Sequence, residues 1–185
     1  MTNRDRLFDG YPPEGNMNMS PQFDSIDSIR QCGFEGFVTI SALRESKCND
    51  VPDVPGVYLV LRTSTTLPEF LVESTGGHFK GKDPTVLISE LELNWVEDAL
   101  VLNIGKAGPS IGRTLKSRLR EYVQFGQGEV IGHRGGRYIW QLADSSELLV
   151  CWKATPHVDP KDEESRLITE FEAEYEKLPF ANLRH

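Results

Sequence analysis

The chain has 185 residues and a mass of 20.8 kDa, the size of one ordinary domain with enough length to bury a core. Its 20 basic and 28 acidic residues leave a formal charge of −8, which excludes a protein that coats nucleic acid by overall charge. The longest unbroken apolar runs, Val57 to Leu61 and Leu148 to Trp152, are five residues each, against the ~20 that a membrane-spanning helix needs.

In chain order, residues 1–30 read as an irregular arm of Gly, Pro, Asn and Ser ahead of one domain over residues 31–185. The amino terminus lacks the apolar stretch of a secretory signal, and Thr2 is not the Gly that myristoylation needs. Cys32, Cys48 and Cys151 are an odd count without C-x-x-C spacing, so a disulfide framework and a zinc site are not expected and a cytoplasmic location is. Residues 34–43 (FEGFVTISAL) suit either a strand or a short helix. The first clear strand is Pro55 to Arg62 (PGVYLVLR), apolar on both faces and therefore expected to be covered on both.

A long connection follows, with a turn at Gly76 and Gly77 and a helix expected from Pro84 to Asp98. The next strand is expected from Ala99 to Ile104, stopping at Gly105. Leu115, Leu119, Tyr122 and Val123 recur at helical spacing and predict a helix over residues 113–125, with Arg118 on the flank of the buried stripe. The glycine-dense segment 126–136 leads to residues 137–142, whose state is ambiguous. A third strand is expected over residues 147–153, then an acidic helix over residues 161–177 buried through Leu167, Ile168, Phe171 and Tyr175 and stopped by Pro179. The expected fold class is α+β, a small three-stranded sheet flanked by helices, with an insertion at 63–98 between the first two strands.

Charge is uneven. Between Lys106 and Arg137 there are seven basic residues (Lys106, Arg113, Lys116, Arg118, Arg120, Arg134, Arg137) and only two acidic ones. An acidic body with one basic segment suits a protein that holds a phosphate backbone at one place, and equally a solvated helix face pairing with the acidic C-terminal helix. The run GHRGGR, Gly132 to Arg137, combines glycines that allow close backbone approach with guanidinium forks that match phosphate oxygens. The same run also reads as an ordinary turn.

Three separated segments, in order, resemble the GIY-YIG nuclease superfamily. Pro55-Gly56-Val57-Tyr58 is similar to its opening P-G-[IV]-Y strand, and Asn103-Ile104-Gly105-Lys106-Ala107 to its Y-I-G-K-A element. Leu115-Lys116-Ser117-Arg118-Leu119 is similar to its L-x-x-R-L helix, and Glu170 followed by Pro179 and Asn182 to its helix glutamate and P-x-x-N ending. The resemblance covers roughly residues 52–184 and implies a metal-dependent phosphodiesterase, endonuclease-like, acting on nucleic acid, DNA more than RNA. It implies that Tyr58 orients or deprotonates water, Arg118 holds the scissile phosphate, and Glu170 ligates one Mg²⁺ or Mn²⁺. Lys106 would act near the phosphate, His133 would assist proton transfer, and Gly56, Asn103, Gly105 and Asn182 would support the site. Arg113, Lys116, Arg134 and Arg137 would bind the nucleic acid.

One position departs from the pattern. Asn103 stands where the superfamily has its second tyrosine, and it brings an amide but no ionisable hydroxyl or ring. Two rival readings are a nucleic-acid-binding module without catalysis and a protein-interaction domain using the acidic helix and the N-terminal arm.

Overall fold

The computed structural model describes residues 21–108, 110, 112–132 and 135–183. Helix α1 (Ile26–Gln31) is capped by the Ser25 side chain, and strand β1 (Glu35–Thr39) runs directly into helix α2 (Ile40–Glu45), capped by Thr39. The two readings of residues 34–43 are thus both realised in succession. Strand β2 (Gly56–Leu61), helix α3 (Ile88–Asn94), strand β3 (Val101–Ala107), helix α4 (Leu115–Gly126), strand β4 (Leu149–Ala154) and helix α5 (Pro160–Tyr175) complete the fold.

The strands form one antiparallel sheet in the order β1-β4-β2-β3. The class is α+β as expected, but the sheet has four strands rather than three, because β1 adds to the outer side of β4. Every residue of β2 is buried, and its pleat sends side chains into two cores. Tyr58 and Val60 pack with α2 and α4, whereas Val57, Leu59 and Leu61 pack with α1 and α5. All four stripe residues predicted for α4 are buried, as are Leu167, Ile168 and Phe171 of α5, while Tyr175 is partly so. Among the described residues, no helix is long and apolar enough to cross a membrane.

Several boundaries differ from the sequence expectation. Of the arm expected over 1–30, residues 1–20 lie outside the described residues, and residues 26–30 are helical with Ile29 fully buried. The helix expected from Pro84 to Asp98 shrinks to α3, since the Val86 N–H is held by the Gln141 side chain outside the helix and Trp95 is already extended. Strand β3 runs through Gly105 to Ala107, because Gly105 stays paired opposite Tyr58. Helix α5 ends before Pro179 is reached, with Glu176 at φ 56° in the left-handed region. Residues 137–141 form a 3-10 turn.

The insertion is tied down rather than loose. Gln141, fully buried, accepts from the Val86 N–H (2.8 Å) and donates to the carbonyls of Leu71 (3.1 Å) and Val86 (3.0 Å). Arg62, also buried, pairs with Asp144 (2.7 Å) and donates to the carbonyls of Ser64 and Thr66. These buried donors and acceptors satisfy loop backbone that would otherwise be costly to leave unpaired.

Candidate functional site

A cleft of about 1300 Å³ runs along the C-terminal half of β3. Tyr58 of β2, Asn103, Gly105 and Lys106 of β3, and Arg118 of α4 line it together. Arg137, Lys177, Glu164 and Asn182 line it from the 3-10 turn, the C-terminal segment and α5. Leu93 and Asn94 of α3 make the insertion one wall of the cleft.

Tyr58 reaches the cleft because of the residue opposite it. Gly105 faces Tyr58 across the β2–β3 ladder, and a Cβ on Gly105 would overlap the Tyr58 ring and hydroxyl. Burial pushes the Tyr58 phenol above its ordinary pKa. The Arg118 guanidinium beside it partly opposes that shift, and Glu164 adds to it. At neutral pH the group is therefore a protonated phenol, able to donate a hydrogen bond but not to abstract a proton. Arg118 is itself fixed by Glu121, one turn along α4, at 3.2 Å, and Arg113 donates to both oxygens of the same carboxylate at 2.9 and 3.0 Å.

Asn103 and Asn182 form a structural pair. Asn182 Oδ1 accepts from the Ile104 N–H (2.8 Å) and from Asn103 Nδ2 (3.0 Å), while Asn182 Nδ2 donates to the Ile104 carbonyl (2.8 Å). With the Ala181 N–H on the Leu102 carbonyl (2.8 Å), the C-terminal segment covers the open edge of β3. Leu102 is an extra residue in the ladder, since Val60 opposes Asn103 and Leu61 opposes Val101. Such a bulge re-aims neighbouring side chains, and here Asn103 Oδ1 is pressed against the loop: a Cβ on Gly136 would lie 2.9 Å from it. The amide is thus engaged in holding β3 to the C-terminal segment.

Other expected site residues stand elsewhere. Glu170 does not line the cleft: its Oε1 accepts from Arg166 Nη1 at 2.6 Å, and its charge acts on the Cys32 thiol at the end of α1. Among the described residues, the carboxylate lining the cleft is Glu164, whose Oε2 is ion-paired with Lys106. At helical spacing Glu164 continues the buried stripe of Ile168 and Phe171, whereas Glu170 lies about 100° off it. An acid on the extension of an apolar stripe was the signal that could have found it. Lys116 is near enough to influence the Cys48 thiol and is not a cleft residue. Gly56 serves packing, since a Cβ there would lie 2.8 Å from Leu115 Cδ1. His133 and Arg134 lie outside the described residues.

The cleft does not fit the implied Mg²⁺ or Mn²⁺. Mg²⁺ is commonly held by one or two carboxylates; among the described residues lining the cleft the one carboxylate, Glu164, already carries an ammonium and stands among five cationic side chains. Among the described residues, no group of three or more His, Cys, Asp or Glu is placed to hold a metal ion. Compared with protein-family models, curated proteins and solved structures, the chain matches none.

Proposed function

We propose that this protein binds nucleic acid by holding a phosphodiester group in the cleft beside β3, on a domain of GIY-YIG-like design. The observation that carries this reading is the convergence of Lys106, Arg113, Arg118, Arg137 and Lys177 on one cleft of a chain whose overall charge is −8. Cations gathered in a cleft focus the field there and attract an anionic polymer that the acidic remainder repels. Arg118, with a side chain 24 % exposed and its guanidinium held in place, offers planar donors to phosphate oxygens. Tyr58 adds a neutral O–H donor. Three buried cysteines, none in a disulfide among the described residues, suit a reducing cytoplasm.

The test is fluorescence anisotropy with labelled single-stranded and duplex DNA and RNA over a range of salt. Binding is expected to weaken steeply with salt, and Arg118→Ala to lower the slope magnitude by about 0.9. No binding at low salt, or binding untouched by Arg118→Ala and Arg137→Ala, overturns the reading.

Hydrolysis of the bound ester is a second reading, favoured by the juxtaposition of Tyr58 and Arg118 with the Glu164 carboxylate. In it, water attacks phosphorus and gives its proton to Glu164, Arg118 orients the phosphate and neutralises developing charge, and the P–O bond that breaks leaves an alkoxide oxygen to which Tyr58 donates. Nicking of supercoiled plasmid that disappears in both Tyr58→Phe and Glu164→Gln supports it. Absence of nicking by the wild-type chain leaves a binding module.

A further inference from the structure

We infer that Lys106 takes the place of a divalent ion in this cleft, so that a phosphodiester is bound there without any metal. The inference rests on the proposed nucleic-acid reading and adds what supplies the positive charge. Three observations carry it. Glu164 is the only acidic side chain among the described residues lining the cleft, and its Oε2 is bound by Lys106 Nζ. The glutamate expected to carry a metal is engaged by Arg166 outside the cleft. The remaining charged groups among the described residues lining the cleft are Arg113, Arg118, Arg137 and Lys177, all cationic.

An ammonium is a compact, strongly hydrated point charge on a flexible stem, the side chain closest in character to a hard cation. Lys106 stands on β3, one residue past Gly105, so the strand that gives Tyr58 its space also sets the ammonium in the lining of the cleft. Its side chain is 34 % exposed and that of Glu164 is 18 % exposed, which leaves the ammonium able to contact a ligand while it stays on the carboxylate. A divalent ion would have to displace that ammonium and then sit among four other cationic side chains, only partly offset by Glu121, which Arg113 and Arg118 share, and by Glu90, 3.8 Å from Arg137; repulsion in a partly buried cleft is screened less than at an open surface. A phosphodiester, with one negative charge, meets the reverse situation: the cations already present neutralise it.

The consequence is a vacancy that mutation opens. Removing the ammonium leaves Glu164 unpaired and gives a divalent ion a carboxylate to occupy.

The experiment pairs two measurements on the full chain. Anisotropy with a fluorescein-labelled DNA of about 20 nucleotides, long enough to cover one binding site, is run in EDTA and in millimolar Mn²⁺ at matched ionic strength. Manganese alone is titrated by electron paramagnetic resonance. The wild-type affinity for DNA is expected to agree within about twofold between the two buffers, and that of Lys106→Arg to stay independent of Mn²⁺ as well, because a positive charge still occupies Glu164. Lys106→Met is expected to bind DNA about tenfold more weakly in EDTA and to recover part of that loss in Mn²⁺. Lys106→Met is also expected to bind Mn²⁺ where the wild type does not, and the double variant Lys106→Met/Glu164→Gln to lose it again.

A tenfold or greater loss of wild-type DNA binding in EDTA overturns the inference while leaving the proposed function intact. Wild-type Mn²⁺ binding as tight as that of Lys106→Met also overturns it. Absence of DNA binding in both buffers overturns the proposed function instead, and the manganese titration then still decides whether Lys106 holds the cation position.

Discussion

Replacing Asn182 by Ala removes one side chain and three hydrogen bonds: 2.8 Å from the Ile104 N–H, 2.8 Å to the Ile104 carbonyl and 3.0 Å from Asn103. At about 0.5–1.5 kcal/mol net for each, the loss is about 1.5–4.5 kcal/mol. Ile104 and Asn182 both line the cleft, so water can reach the freed backbone groups, and the lower part of that range, about 2 kcal/mol, is expected. For a chain of this size that corresponds to a fall in Tm of about 4–8 °C. Urea unfolding followed by the fluorescence of Trp95, Trp140 and Trp152 measures it directly. Asn103→Ala is the graded companion: it removes the 3.0 Å bond alone, leaves Asn182 on Ile104, and should cost about 1 kcal/mol. If Asn182→Ala lies within about 0.5 kcal/mol of wild type, or if Asn103→Ala is the more damaging of the two, the C-terminal segment does not hold the β3 edge as described.

Gly105→Ala should destabilise by about 1–3 kcal/mol and weaken DNA binding, because the added methyl displaces the Tyr58 ring; denaturation and anisotropy report the two effects separately. Arg62→Met strands the Asp144 carboxylate and frees the Ser64 and Thr66 carbonyls, so a loss of about 3 kcal/mol and faster proteolytic cleavage within residues 63–67 are expected. The Arg166 guanidinium bonded to Glu163 holds that carboxyl below its ordinary 4.5, with Lys153 contributing and burial opposing. A depressed folded-state pKa means stability that is present above the unfolded value and lost as pH falls through the folded one. The stability gap between wild type and Glu163→Gln, read from urea midpoints, should therefore be full at neutral pH and close as the pH drops below 4.5.

What could be read along the chain is what depends on neighbours in sequence. The even burial of β2, the stripe of α4 through Leu115, Leu119, Tyr122 and Val123, and the buried side of α5 follow from local periodicity, since a strand or helix repeats its facing every two or 3.6 residues. Tyr58, Asn103, Gly105, Lys106, Arg118 and Asn182, singled out along the chain, do line one cleft. The rest was decided by contacts between distant segments. Strand β1 pairs only once β4 presents an edge, so residues 34–43 alone could not choose between strand and helix. The choice between Glu164 and Glu170 turns on the rotation of α5 about its own axis against β3, which spacing to Asn182 does not define. Whether a carboxylate is available to a metal depends on what already sits on it, and the ion pair between Lys106 and Glu164 spans 58 residues of chain. Periodicity sets which way a side chain faces along its own element; only packing sets what it faces.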